Sequence, residues 1–195
     1  MKSVAIFCGA AMGTDPGLQK EIIRLVQLLA ENKIELIYGG GKVGIMGLVA
    51  DTAIQHRCKV IGVIPDFLID KELAHESLSK LITAKSFSER KAIIYNKADA
   101  FILLPGGIGS LDEFFDGLSQ MHVGVLSKKF GILNTRNYYD ATLAQLHKAK
   151  EMAFMSTEMY DAIKVGTTAK DLLANMMAEE TVQINRWSHR SKETI

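Results

Sequence analysis

The sequence predicts an α/β protein, a Rossmann-like doubly wound parallel sheet with helices on both faces. Two observations carry that prediction. Short apolar runs alternate with stretches of helical periodicity along most of the chain, the mark of a parallel sheet clothed by helices. Two connections from such a run into a helix are glycine clusters, Gly39-Gly40-Gly41-Lys42-Val43-Gly44-Ile45-Met46-Gly47 and Pro105-Gly106-Gly107-Ile108-Gly109-Ser110. Turns of this kind sit beyond the carboxyl ends of strands in open parallel sheets. The 195 residues suffice to bury a core without disulfides and fit one domain, 1–195. No internal repeat, linker or composition break divides them.

The first strand is read over residues 4–8, entered directly from Met1-Lys2-Ser3. Asp15-Pro16 reads as an N-cap followed by proline at the first helical position, and the helix over 18–32 buries Ile22, Ile23, Val26, Leu29 and Ala30. A strand over 35–38 runs into the first glycine cluster, after which Leu48, Val49, Ala50 and Ala53 keep helical spacing over 45–55. Strands over 60–64 and 81–84 precede a helix over 89–97 with Ala92, Ile93 and Ile94 on it. The strand over 100–104 enters the second cluster and a helix over 111–121 leaves it; a strand over 130–133 and a helix over 139–150 follow. Thr168, with Asp171 three residues on, reads as the cap of a last helix carrying Leu172, Leu173, Met176 and Met177. Beyond residue 179 the pattern fades. Trp187 is expected to pack on the domain or on a partner subunit, and 188–195 to form a polar, mobile tail.

Lys and Arg number 23 against 22 Asp and Glu, and no basic run interleaved with aromatic residues stands out. The chain is therefore read as acting on a small molecule, with no nucleic-acid partner. Cys8 and Cys58, each beside apolar residues, read as buried thiols, and no His or Cys spacing suggests a metal site. The start reads as a strand instead of a signal peptide, and no apolar stretch reaches membrane-spanning length. A cytoplasmic protein without a membrane partner is the expectation.

The second glycine cluster has the form of a phosphate cradle. Glycines let the backbone approach an anion closely, and the N–H groups at the positive end of the following helix point at it. Glu113, one turn into that helix, then faces the ligand. A carboxylate near an anion opposes its binding, which points to chemistry or to ribose hydroxyls; the plain alternative is a solvated acid at a helix start. The first cluster is neither a dinucleotide fingerprint nor a Walker loop. The Gly-x-Gly-x-x-Gly spacing fits Gly39, Gly41 and Gly44, but the acid due about twenty residues later is missing and no Gly-Lys-Ser/Thr follows. Two such turns in one sheet imply a shared crevice. Arg90 lies near a helix start, where a cation opposes the positive helix end unless an anion is close. Either a ligand supplies that anion, or Arg90 makes a surface pair with Glu89 or Asp112. His75 and His122 are acid–base candidates by residue type but read as packing or surface residues, and Met12, Met46 and Met121 as gap fillers.

With both turns in place, the chain resembles the Lonely guy family, nucleoside 5′-monophosphate phosphoribohydrolases that release cytokinin bases and were long labelled lysine decarboxylases. The resemblance covers about residues 3–150. It rests on Phe7-Cys8-Gly9-Ala10-Ala11 with Gly13 and Pro16, on Tyr38-Gly39-Gly40-Gly41 with Gly44, Met46 and Gly47, and on Ile61-Gly62-Val63-Ile64-Pro65. Arg90-Lys91, the run from Pro105 to Ser110 with Glu113, and Gly131-Ile132-Leu133-Asn134 with Tyr138-Tyr139 complete it. In this order and spacing the set is highly specific.

The resemblance implies hydrolysis of the N-glycosidic bond of a purine nucleoside 5′-monophosphate, of cytokinin or adenosine type, releasing free base and ribose 5-phosphate. It implies no cofactor, and a homodimer with the helices around 89–97 and 111–121 as contact faces. Arg90 and Glu113 take the catalytic positions. Glu72, Lys91, Gly106, Gly107, Gly109, Ser110, Ser119, Gly9, Ala10, Gly40 and Gly41 take substrate-binding ones. Read alone, Glu72 lies in a polar loop and Ser119 is a helix-face serine. The family's Met-His-x before the Arg-Lys pair is here Phe87-Ser88-Glu89, and its Trp-Ala-Gln-Leu-Gly is Gln120-Met121-His122-Val123-Gly124. These departures bear on base recognition. Ser110 replaces the common threonine and keeps its hydroxyl. The rival reading from another class is a nucleotide-binding sensor or carrier of the same fold that does not hydrolyse; the presence of both Arg90 and Glu113 weighs against it. Lysine decarboxylation asks for a pyridoxal-bearing lysine, for which the residues offer no support.

Overall fold

The computed structural model describes residues 1–69, 74–178 and 184. Among them, seven strands form one sheet: β1 (Ser3–Phe7), β2 (Glu35–Tyr38), β3 (Val60–Pro65), β4 (Lys80–Ala84), β5 (Ala100–Leu103), β6 (Lys129–Leu133) and β7 (Ile163–Gly166). Their order is β4-β3-β2-β1-β5-β6-β7, and every pairing is parallel. The helices are α1 (Pro16–Glu31), α2 (Gly44–Gln55), α3 (Phe87–Lys97), α4 (Ile108–His122), α5 (Asp140–Glu151), α6 (Thr157–Asp161) and α7 (Ala169–Ala178).

Side chains along a strand alternate between faces, and here both faces are buried. Val4 and Ile6 of β1 join a core with Leu25 and Leu29 of α1, Val49 of α2 and Leu172 of α7. Ala5 and Phe7 of the same strand join the opposite core, with Tyr95 of α3, Phe114 and Leu118 of α4, and Phe130 of β6. Phe7 stacks on Phe101 across the β1/β5 pair at 5.8 Å. The expected doubly wound sheet with helices on both faces is what forms.

The strand order reverses between β1 and β5, and that reversal places the site. From β1 the chain moves through β2, β3 and β4 on one side, while β5, β6 and β7 build out on the other. The connections leaving β1 and β5 run to helices on opposite faces, which opens a crevice above their carboxyl ends. The two loops meet there: Gly9 N–H donates to the Pro105 carbonyl at 3.2 Å.

Several details differ from the sequence reading, among them the start of α4 at Ile108, three residues earlier than read, and Ile23 and Ala30, which are half-buried on α1. β7 and the short α6 had no sequence signal, because Ile163-Lys164-Val165-Gly166 is only four residues long with a half-buried centre. Helix α3 starts at Phe87, two residues earlier than read, because the Ser86 hydroxyl caps it by accepting the Glu89 N–H at 3.1 Å. Cys8 is buried but Cys58 is half-buried, its thiol donating to the Ile34 carbonyl at 3.1 Å from the turn before β3. The Thr168 cap forms as read, its hydroxyl accepting from the Asp171 N–H at 3.2 Å. Glu72, Trp187 and the stretch 188–195 lie outside the described residues.

Candidate active site

A cavity of about 740 Å³ lies over the carboxyl ends of the central strands, within the size range of small-molecule sites. The loop after β1 contributes Cys8, Gly9, Ala10 and Ala11; the end of β2 and the start of α2 contribute Gly39, Ile45 and Met46. Leu68 comes from the short 3-10 turn after β3, and Phe87, Arg90 and Lys91 from α3. The loop after β5 and the first turns of α4 supply Gly106, Gly107, Ile108, Gly109, Ser110, Asp112 and Glu113.

Arg90 and Glu113, read from separate motifs, meet. The Arg90 Nη1 lies 2.6 Å from Glu113 Oε1, and the two side chains keep only 12 % and 10 % of their surface exposed. Arg90 Nε also donates to the Val63 carbonyl at 2.8 Å. The anion that a cation near a helix start calls for is therefore Glu113, not Glu89 or Asp112. Lys91 takes Asp112 instead, at 3.2 Å, with Asp116 at 3.7 Å. The Tyr95 hydroxyl donates to the Glu113 carbonyl at 2.6 Å, so the helix bearing the arginine also fixes the backbone of the glutamate. Breaking such a half-dry pair strands a charge, which makes the arrangement stiff.

On the cavity wall, Gly39 and Gly106 leave room that neighbouring side chains fill. A Cβ on Gly39 would collide with Arg90 Nη2 and come within 2.9 Å of Met46 Sδ. The guanidinium is thus seated on bare backbone at the end of β2. A Cβ on Gly106 would collide with the Ser110 hydroxyl and lie 2.8 Å from Gly9 N. Those glycines let the β1 and β5 loops close on one another with Ser110 tucked beneath. Gly107 caps α4 without a side-chain hydrogen bond, and the first N–H groups of a helix have no intrahelical acceptor. The positive end of α4 therefore opens on the cavity, while its Glu113 turns inward to Arg90.

The Tyr138-Tyr139 pair steadies this loop from the β6 side. Tyr138 donates its hydroxyl to the Gly106 carbonyl at 2.8 Å, and Tyr139 donates to the Leu104 carbonyl at 2.7 Å. Asn134 places them, accepting the Tyr139 N–H at 2.8 Å. Arg136 and Asn137 between them have φ of 57° and 58°, left-handed conformations that cost non-glycine residues energy. Arg136 is held there by Asp15, Nε to Oδ2 at 3.0 Å. Beside the ion pair, burial pushes the Cys8 thiol far above its ordinary pKa, with the Glu113 carboxylate adding to the rise and Arg90 offsetting part of it. Cys8 is a neutral wall of the cavity.

Of the residues singled out in the sequence, Gly9, Ala10, Arg90, Lys91, Gly106, Gly107, Gly109, Ser110 and Glu113 line one cavity. Gly40, Gly41 and Ser119 are not on its wall. Gly40 and Gly41 hold the chain around residue 75, the Gly40 carbonyl accepting from His75 N–H at 3.0 Å and Gly41 bridging Ala74; Ser119 is exposed on α4. His75 pairs with Asp51 at 3.0 Å, and Met121 is core, whereas Met46 lines the cavity. Sequence reasoning did not place Gly39, Leu68, Ile108 and Tyr138 on the wall. Among the described residues no group of three or more His, Cys, Asp or Glu is arranged to hold a metal ion, and no helix is long and apolar enough to cross a membrane.

Residues 46–176 match a family model described as "possible lysine decarboxylase". The chain is 37% identical, over 90% of its own length and 87% of the relative, to the probable cytokinin riboside 5′-monophosphate phosphoribohydrolase LOG6 of Arabidopsis thaliana. It is 35% identical to the cytokinin riboside 5′-monophosphate phosphoribohydrolase LOG7 of the same plant, over 90% of this chain and 81% of that one. It is 36% identical to the probable enzyme LOGL1 of Oryza sativa subsp. japonica, over 89% and 78%. Among solved structures, the fold is similar to the molybdenum cofactor binding protein of Rippkaea orientalis, with TM-score 0.64, 19% identity and coverage of 88% and 92%. The Moco carrier protein of Chlamydomonas reinhardtii matches with TM-score 0.67, 14% identity and coverage of 91% and 98%. At those identities the likeness is one of fold. The relatives matched over most of the chain, together with the family model, establish that this chain belongs to the Lonely guy family, the group still described as possible lysine decarboxylases.

Proposed function

We propose that this chain hydrolyses the N-glycosidic bond of a purine nucleoside 5′-monophosphate, releasing free base and ribose 5-phosphate. One observation carries the reading: a largely buried Arg90–Glu113 pair stands in the same cavity as the open, positive start of α4. The names of the relatives supply the substrate class.

Gly106, Gly107, Gly109 and Ser110 hold the 5′-phosphate at the helix start, with Lys91 adding positive charge nearby and Gly9 and Ala10 closing the other wall. Anchoring the remote phosphate positions the sugar for reaction. Cleavage builds positive charge on the ribose ring as the base departs. A water oxygen bonds to the anomeric carbon, the carbon–nitrogen bond breaks with its electron pair going to the base, and the proton released by the water ends on that base. Glu113 holds the ribose hydroxyls and stabilises the cationic ring or draws the water's proton. Arg90 orients the substrate and favours the departing electron-rich base. The same reading makes 1–195 one nucleotide-binding domain and the molecule a homodimer joined through α3 and α4, which keep half-buried apolar residues such as Ile93 and Phe115. A cytoplasmic location suits two free thiols.

Incubation with AMP, followed by chromatography of the products, tests the reading. Adenine and ribose 5-phosphate are expected in equal amounts, and adenosine is expected to react far more slowly. Tight binding across a panel of monophosphates without cleavage would overturn it in favour of a carrier.

A further inference from the structure

The cavity has a direction, and one end of it has no part in the chemistry described so far. The phosphate-holding loop follows β5. Arg90 is seated at the end of β2 and reaches Glu113. Leu68 follows β3, and Phe87 follows β4. In the order β4-β3-β2-β1-β5, with strands about 4.8 Å apart, the phosphate end and the β3 end of the cavity are about 14 Å apart. A nucleotide anchored by its phosphate over β5, with its scissile bond at the Arg90–Glu113 pair, must lay its base toward β3 and β4. Tyr138 already occupies the β6 side of the phosphate loop.

At that far end stand two large apolar rings. Phe87 is 53 % and Phe67 49 % exposed, and they meet edge to face with ring centroids 5.5 Å apart and planes at 80°. Around them Asp66, Lys85, Ser88 and Glu89 are exposed and polar, so this apolar pair interrupts a hydrophilic surface. An exposed ring at the rim of a cavity offers a face on which a planar ligand can stack. Phe87 also stands three residues before Arg90 on α3, on the same side of the helix, one turn from the reacting bond. Leu68 faces the same space.

We propose that Phe87, braced edge-on by Phe67 and accompanied by Leu68, is the wall on which the purine stacks and a residue that sets base selectivity. This rests on the hydrolase reading for the direction in which the nucleotide lies. Leu68 and Phe87 are the apolar residues that the segments after β3 and β4 bring to the cavity wall, with Arg90 and Lys91 one turn further along α3. What this apolar wall offers a base is ring area and shape.

Equilibrium binding of two probes, AMP and ribose 5-phosphate, to the intact protein tests this. Phe87→Ala should weaken AMP about tenfold while leaving ribose 5-phosphate within about twofold, the scale of losing one base–aromatic stack. Phe87→Tyr should restore AMP binding, and Phe67→Ala should give a smaller loss for AMP alone. An unchanged melting temperature shows that Phe87→Ala is folded. Equal weakening of both probes, or no weakening of AMP, overturns the proposal. The two readings fail separately. AMP binding that depends on Phe87 without release of adenine removes the hydrolase and keeps the wall. Adenine release with AMP affinity indifferent to Phe87 removes the wall and keeps the hydrolase.

Discussion

Glu113 is the residue on which the chemistry turns, and its setting dictates how it should be probed. Truncation would leave Arg90 without its carboxylate in a site where both side chains are about nine-tenths covered, mixing a folding defect with a catalytic one. Glu113→Gln keeps volume and polarity and removes the charge alone. With AMP as substrate, kcat is expected to fall by about two orders of magnitude or more, the scale seen when a positioned charge or acid–base group is lost. Turnover equal to that of the unaltered protein would take Glu113 out of the mechanism. The seat of Arg90 offers an independent probe. Gly39→Ala adds one methyl group that must push the guanidinium, and with it Met46, aside, and a displacement of about 1 Å at a reacting centre costs about 100-fold in rate. A fall in kcat with a retained circular dichroism spectrum is expected. Unchanged kcat would mean that the arginine tolerates displacement and does not act at the reacting bond.

At the scale of elements, the site is made by loops that brace one another. The β5 loop is held at Gly9 from β1 and at Tyr138 and Tyr139 from the segment after β6. Tyr138 is the accessible member of this brace. Tyr138→Phe removes one hydrogen bond to the Gly106 carbonyl and keeps the ring, so a rise of roughly threefold to tenfold in KM for AMP is expected, the worth of one modest hydrogen bond. Little change in kcat is expected, because the reacting pair sits on α3 and α4; a fall in kcat without a change in KM would assign Tyr138 to the chemistry instead. These braces also mark the limit of what the sequence discloses. Each glycine cluster was legible as a strand-to-helix turn, since turn residues act locally. The contact between Arg90 and Glu113 was not, because it depends on how α3 crosses α4, which Tyr95 and Lys91 settle through space. Gly40 and Gly41 illustrate the same limit from the other side. They stand inside a glycine motif, but the chain's path turns them to the segment around residue 75 and leaves Gly39 on the cavity wall.

For the whole molecule, the sheet's two ends carry separate duties. The carboxyl ends bear the crevice, and the amino ends of the central strands are clipped together far from it. Asp99, just before β5, accepts the N–H of Lys2 at 2.7 Å and of Ser3 at 3.1 Å at the start of β1. The Ser3 hydroxyl donates to the Lys97 carbonyl and accepts the Asp99 N–H. Burial works against the Asp99 charge, but those two N–H groups, with Lys128 and the chain's amino terminus, outweigh it and leave its pKa below the ordinary value. A carboxylate with a depressed folded pKa adds stability that is present above its unfolded pKa of about 3.9 and disappears as pH falls through the folded value. Asp99→Asn mimics the protonated form at every pH. At pH 7 it should lower stability by about 1 kcal/mol after discounting for the exposure of Asp99, a fall of about 2–4 °C in Tm for a domain of this size. The gap between the two proteins should narrow below about pH 4 and close in stronger acid, where both carry a neutral side chain. Because the clip lies at the opposite edge of the sheet from the Arg90–Glu113 pair, the rate with AMP at pH 7 should not change. Thermal melts from pH 7 to pH 3 read the outcome directly: a gap that stays constant across that range would show that the clip works through shape and not through the Asp99 charge.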